Sequence, residues 1–80
     1  MNSDAAISII HNIFIEGFDV EPDALVGTAQ LGDDLGLDSL DGLDLVVALE
    51  KEFGLQIPEE KARSMSVLQD IYDYVEEKSN

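Results

Sequence analysis

The sequence predicts an all-α protein: a small four-helix bundle with three longer helices, one short helix and a long loop after the first helix. Two observations predict it. Three stretches place apolar residues at helical spacing, and no stretch alternates apolar and polar residues between hairpin-turn residues. The 80 residues are expected to form one domain, 1–80. A chain of that size buries only roughly 60–65% of its unfolded surface, so its core is thin.

The first helix is expected to start from a cap at Ser3 or Asp4. Ile7, Ile10, Phe14 and Phe18 fall on one face beside Ile9 and Ile13, and Gly17 is the expected stop. From Asp19 to Asp34 the pattern loosens around Pro22, Gly27 and Gly32. This predicts a long, ordered loop whose Val20, Leu25 and Leu31 plug into the core, with a short helical turn near Asp23–Val26.

The second helix is expected from Ser39 to about Phe53. Leu40, Leu43, Val46, Val47, Leu49 and Phe53 would give it a broad apolar face, and Gly54 would end it. Gly42 breaks the local rule, because an interior glycine costs about 1 kcal/mol against alanine. It predicts either an irregular first turn or a close approach to the backbone. Leu55–Pro58 reads as extended, with Ile57 in the core. Glu59-Glu60-Lys61-Ala62 reads as a brief third helix. The last helix is expected to start at Ser64 or Ser66 and to run to about Lys78, with Val67, Leu68, Ile71, Tyr74 and Val75 inward.

Charge narrows the function. Eighteen acidic residues face four basic ones, for a net charge of -14, and no basic residue precedes Lys51. Binding to nucleic acid needs cations that displace counterions from phosphates, and so does docking on an anionic membrane. Both are therefore excluded as expectations. The expected partners are proteins with basic patches, which this field would steer into contact. There is no cysteine, so disulfides and thiolate metal sites are absent, which suits a cytoplasmic location. Met1–Asp4 has no positive n-region, and His11 and Asn12 break the apolar run from Ile7, so no signal peptide is expected. No stretch approaches the roughly 20 apolar residues of a membrane span.

Enzyme chemistry finds little support. There is no phosphate-cradling G-x-x-x-x-G-K loop. Asp33–Asp38 lacks the ligand spacing of a calcium loop. One histidine without cysteine does not make a zinc site. His11 has no nucleophile or oxyanion loop to serve, so a hydrolase is rejected. What remains is Ser39 at a helix start, with Asp38, Asp41 and Asp44 spaced by three around it. Ser39 can be an N-cap, for which serine is among the best residues. It can also be a point of covalent attachment, because a helix N-terminus favours a bound phosphate. The aspartates can be a cap at Asp38 with Asp41 in the first turn, or a negative strip shown to a basic partner; both can hold. On the residues alone, the cap is the simpler role for Ser39.

Leu35-Gly36-Leu37-Asp38-Ser39-Leu40 resembles the attachment motif of acyl carrier proteins, in which Asp-Ser-Leu holds the phosphopantetheine arm. The likeness continues through Asp41, Asp44-Leu45-Val46, Ala48-Leu49-Glu50, Glu52-Phe53, Ile57-Pro58, Ala62, Ile71 and Tyr74, so it covers nearly the whole chain. The resemblance implies a carrier, not an enzyme, with 4′-phosphopantetheine esterified to Ser39 and acyl groups held as thioesters on the arm's thiol. It implies that Asp38 helps to position the modifying enzyme and its metal ion. It places Leu40, Asp41, Asp44, Val47, Ala48 and Glu50 on the recognition face. It places Leu43, Leu49, Phe53, Ile57, Ala62, Met65 and Ile71 around the core where an acyl chain can shelter. The implied partners are a phosphopantetheinyl transferase and basic-patched acyl-transfer, condensing and modifying enzymes. The chain is expected to work as a stand-alone cytoplasmic monomer in fatty acid, specialised lipid or polyketide biosynthesis.

Three departures point toward a specialised carrier: Gly42 in place of a larger residue, Lys51 where fatty-acid-synthesis members are often acidic, and a first helix without lysine or arginine. Two rivals stand beside this expectation. One is a carrier of amino acids or peptides, a class whose motif has more glycine and whose surface is less acidic. The other is an acidic interaction module without a prosthetic group, which explains the charge but not the Asp-Ser-Leu placement.

Overall fold

The structure is a computed structural model that describes residues 3–79, without the side chains of Ser3 and Ser79. Helix α1 spans Ser3–Asn12, α2 Ser39–Phe53, α3 Glu59–Ser64 and α4 Leu68–Ser79. The Ser3 cap expected from the sequence, and Met1 and Asn2, therefore lie outside the described side chains. The Cα radius of gyration is 11.3 Å, against roughly 11.6 Å for a folded chain of this length.

The first helix does not stop at Gly17 in the expected way. After Asn12 it widens into a π-helical turn, Ile13–Gly17, which ends as the Phe18 N–H donates to the Phe14 carbonyl. The left-handed residue that turns the chain is Asp19, at φ 58°, two positions later. Aspartate tolerates that region better than most residues. The Val20 N–H also returns to the Phe14 carbonyl, at 3.1 Å. Phe14 and Ile10 are thereby fully buried.

The long loop is ordered, as its apolar residues predicted. Val20, Leu25, Ala29 and Leu35 are buried, and a 3-10 turn occupies Pro22–Ala24. Its anchor was not legible in the sequence. It pairs through backbone bonds with the segment before α4: Leu31 N–H to the Ser66 carbonyl (3.0 Å), Leu68 N–H to Ala29 (3.0 Å) and Gln69 N–H to Gly27 (2.9 Å). These include an isolated antiparallel bridge between Gln30 and Val67. At Gly27 a Cβ would stand 2.7 Å from Gln69 Oε1, the movable end of a flexible side chain, and its nearest neighbours would all be side-chain atoms of Gln69.

Helix α2 corrects the sequence expectation most. Its buried face is Leu45 and Leu49, with Val46 and Phe53 partly buried. Leu43, expected around the core, is 63% exposed, whereas Leu40 and Val47, placed on the recognition face by the resemblance, are 71% and 59% exposed. Both sets recur at helical spacing, so periodicity could not say which row faces the core. The helix ends at Gly54 in the left-handed region (φ 64°), as expected. Helix α3 is two residues longer than expected and starts from Pro58.

Neither Ser64 nor Ser66 caps α4. The Ser64 hydroxyl donates to the Lys61 carbonyl. Asp70 closes the start of α4 by accepting the N–H of Ser66 (2.8 Å) and Val67 (3.2 Å). The bond from Ser66, then that from Val67, holds the Asp70 carboxyl below its ordinary pKa.

Helix α4 buries Leu68, Ile71, Tyr74 and Val75, close to expectation. Two tyrosines on it tie the bundle together. Tyr72 OH lies 2.6 Å from His11 Nε2 on α1. Tyr74 OH donates to the Gln56 carbonyl between α2 and α3 at 2.9 Å. Burial pushes the His11 pKa down and that of Tyr72 up, since each loses hydration of its charged form. His11 is thus a helix-bridging residue.

Candidate functional site

The N-terminus of α2 separates the two roles weighed for Ser39. The N-cap is Asp38: its Oδ1 accepts the Asp41 N–H at 2.9 Å, and Asp41 Oδ2 accepts the Asp38 N–H at 3.3 Å. This reciprocal pair satisfies two backbone donors with carboxylates at the positive end of the helix. Ser39 is therefore the first residue of the helix, not its cap. It is exposed, and among the described residues no hydrogen bond engages its hydroxyl. Because an aspartate does the capping, the serine hydroxyl is left accessible for other chemistry.

A cavity of about 460 Å³ opens beside it, between the start of α2, the long loop, α3 and α4. Ser39, Leu43, Glu59 and Arg63 are exposed wall residues and form its mouth, whereas the buried Leu45, Leu49 and Ile71 line its inner end. Of the residues expected to shelter an acyl chain, Leu43, Leu49, Ala62, Met65 and Ile71 are on the wall. Leu43 stands at the mouth instead of in the core. Phe53 and Ile57 are absent from the wall and pack with the core. Leu31, Leu37, Leu45 and Val46 were missed by sequence reasoning. Leu31 and Leu37 reach the site because the Leu37 N–H bonds the Leu31 carbonyl at 3.1 Å, a loop closure no local pattern announces.

Gly42 lies on the same wall. Neither explanation expected for it holds. The turn is regular, with the Gly42 N–H donating to the Asp38 carbonyl at 2.9 Å. A Cβ there would meet nothing within 4 Å, so no close approach demands a glycine.

The expected recognition residues divide. Leu40, Asp44 and Val47 are exposed and, with Leu43, form an apolar strip edged by acid. Asp41 is half-buried and engaged in the capping box. The Glu50 carboxylate accepts the Ile57 N–H at 2.8 Å and braces the α2–α3 connection. Ala48 is half-buried in a second groove of about 530 Å³, between the π-helical turn and α2. Lys51 lines that groove with Glu16, Asp44 and Glu52, which places the one basic residue of α2 among carboxylates.

An exposed serine at the first position of a helix, beside an apolar cavity, is an arrangement that suits a covalent carrier. The comparisons with known proteins agree. A family profile described as phosphopantetheine attachment site matches residues 8–75. The chain is 36% identical over 78 residues to an acyl carrier protein of Thermosynechococcus vestitus, covering 98% of this chain and 96% of that one. It is 44% identical over 69 residues to an acyl carrier protein of Bdellovibrio bacteriovorus, covering 86% and 88%. It is 43% identical over 68 residues to one of Zymomonas mobilis, covering 85% and 87%. The chain belongs to the acyl carrier protein family, whose prosthetic group is 4′-phosphopantetheine. It is a carrier and not an enzyme, which sets aside the interaction module without a prosthetic group. No helix among the described residues is long and apolar enough to cross a membrane.

Proposed function

We propose that Ser39 holds the phosphopantetheine arm and that the chain ferries acyl intermediates for fatty acid, specialised lipid or polyketide synthesis in the cytoplasm. The observation that carries this is the division of labour at α2: Asp38 caps, and Ser39 stands free at the mouth of the cavity. A phosphodiester on Ser39 Oγ would meet the positive end of the helix dipole. Asp38 and Asp41 are spent on backbone donors, which draws their charge toward the helix and limits their repulsion of the phosphate. When bound, the arm supplies a thiol on which an acyl group is held as a thioester. The chain's own contribution is to orient the attachment point and to offer an apolar cavity that keeps water from the acyl chain.

The exposed Leu40, Leu43 and Val47 supply desolvated contact area, and Asp44 beside them supplies charge. Such a patch suits brief, electrostatically steered docking by a phosphopantetheinyl transferase and by basic-patched acyl-transfer, condensing and modifying enzymes. Asp38, half of the cap, would present its remaining carboxylate surface to the transferase and its metal ion. A monomer suffices for all of these contacts.

Incubation with coenzyme A and a phosphopantetheinyl transferase, followed by intact mass measurement, tests the attachment. The expected result is a gain of one phosphopantetheinyl group in the parent protein and none in Ser39→Ala. A gain that survives in Ser39→Ala would move the attachment elsewhere.

A further inference from the structure

The groove of about 530 Å³ between the π-helical turn and α2 has no part in holding an arm at Ser39. Asp44, Ala48 and Glu52 stand four residues apart along one of its walls, and Ile9 and Ile13 stand four apart along the other, so each wall is one side of a helix. From Asp44 to Glu52 it runs roughly 12 Å, about two turns of helix. This side of α2 differs from the two already described. Ala48 follows Val46 of the cavity wall by two positions, which turns it about 160° around the helix axis. It follows Val47 of the exposed strip by one, which turns it about 100°. A partner lying in the groove would leave Ser39 uncovered.

The chemistry of the groove selects that partner. Ile9, Ile13, Phe18 and Ala48 are half-buried and give it an apolar floor. Glu16 on one edge and Asp44 and Glu52 on the other are exposed, and Lys51 is the one lysine or arginine among them. Among the described residues no ion pair or hydrogen bond engages these three carboxylates. By contrast, the carboxylates of Asp41, Glu50 and Asp70 are each spent on backbone N–H groups. An apolar floor with unspent carboxylates along both edges fits an amphipathic helix whose apolar stripe is flanked by lysine or arginine. A second copy of this chain offers no such helix, because none of its four α-helices has more basic than acidic residues. An anionic lipid surface would be repelled by the same carboxylates.

We propose that the groove between the π-helical turn and α2 docks a basic amphipathic helix of a partner protein, on a side of the carrier that leaves Ser39 open. Such a partner holds the carrier while another protein works at the start of α2. The groove alone supports this inference, and its failure leaves the attachment at Ser39 standing.

Titration of the isotope-labelled full-length protein with a synthetic leucine-lysine peptide patterned as an amphipathic helix tests it, read by amide NMR shifts and by calorimetry. The largest shifts should fall at residues 12–17 and 48–52 and spare Ser39. A scrambled peptide of the same composition should bind about tenfold more weakly, because it presents no continuous apolar face. Glu16→Lys combined with Glu52→Lys should weaken binding of the patterned peptide by about tenfold, since two exposed attractions become repulsions. Glu76→Lys combined with Glu77→Lys changes the net charge equally but lies outside the groove, and should weaken it by about twofold at most. Equal binding of the two peptides, equal losses in the two double variants, or largest shifts at Leu40, Leu43 and Val47 would each overturn the proposal. Shifts at the groove residues that grow with protein concentration, without peptide, would give the groove to a second copy and overturn it as well.

Discussion

Replacing Asp38 by alanine should destabilise the apo protein, whereas replacing Ser39 by alanine should not. Asp38 Oδ1 accepts the Asp41 N–H at 2.9 Å, and removing an N-cap acceptor of this kind costs about 1 kcal/mol, within a range of roughly 0.5–2. The reciprocal bond from the Asp38 N–H to Asp41 Oδ2 uses the backbone of residue 38 and survives the change. An 80-residue fold has a total stability of only about 4–12 kcal/mol, so the loss is a measurable share of it. In a domain of this size, 1 kcal/mol lowers the thermal midpoint by about 4–8 °C. Asp38→Asn keeps a side-chain acceptor and should retain most of the parent stability. Ser39→Ala removes a hydroxyl that makes no hydrogen bond and installs a better helix former, so its midpoint should equal or exceed that of the parent. Thermal and urea unfolding followed by far-ultraviolet circular dichroism, all on apo protein, decides the matter. A loss in Ser39→Ala as large as that in Asp38→Ala would refute the division between cap and free hydroxyl.

Three further outcomes are expected. Leu68→Ala, at a fully buried position away from the cavity, should cost about 2–5 kcal/mol in urea unfolding, because the core can collapse only partly around the void. Burial holds the His11 pKa below its unfolded value of 6.5, so the unfolded chain binds the extra proton. Stability is then complete above pH 6.5 and falls as pH drops through that value; the midpoint of the parent should decline more than that of His11→Gln between about pH 7 and 5.5, and parallel curves would show that His11 is not responsible. Asp44→Lys should lower the kcat/KM of transferase loading by about threefold to tenfold at low salt, with the gap closing as salt rises and the helical spectrum unchanged; equal kinetics at all salt concentrations would remove Asp44 from the docking surface.

Much of the architecture was legible in the residues. Pro22, Gly54 and Pro58 punctuate the chain where the structure bends or starts a helix, because each acts through its own backbone restrictions. The inward row of α4 was legible because its polar and apolar faces are cleanly separated. The row on α2 was not, because Leu40, Leu43 and Val47 compete with Leu45, Val46 and Leu49 at the same period. The start of α4 was missed because an acceptor three residues inside the helix, Asp70, replaced the serine cap that a local rule favours. The π-helical turn before Asp19 has no composition signal.

The sequence by itself determined the helical class, the net acidity, and Asp38-Ser39 at the head of a helix. These depend on neighbours along the chain, within reach of a single helical turn. The tertiary structure alone decided that Asp38 caps and Ser39 is free, and that Leu43 joins Leu40 and Val47 on the outward face of α2. It alone showed that Leu31 and Leu37 lie on the cavity wall and that nothing stands within 4 Å of where a Gly42 Cβ would be. Those outcomes depend on which elements fill the space around α2. Residues far apart in sequence, tied by backbone bonds such as Leu31 to Ser66, settle that question, and short-range periodicity carries no record of them.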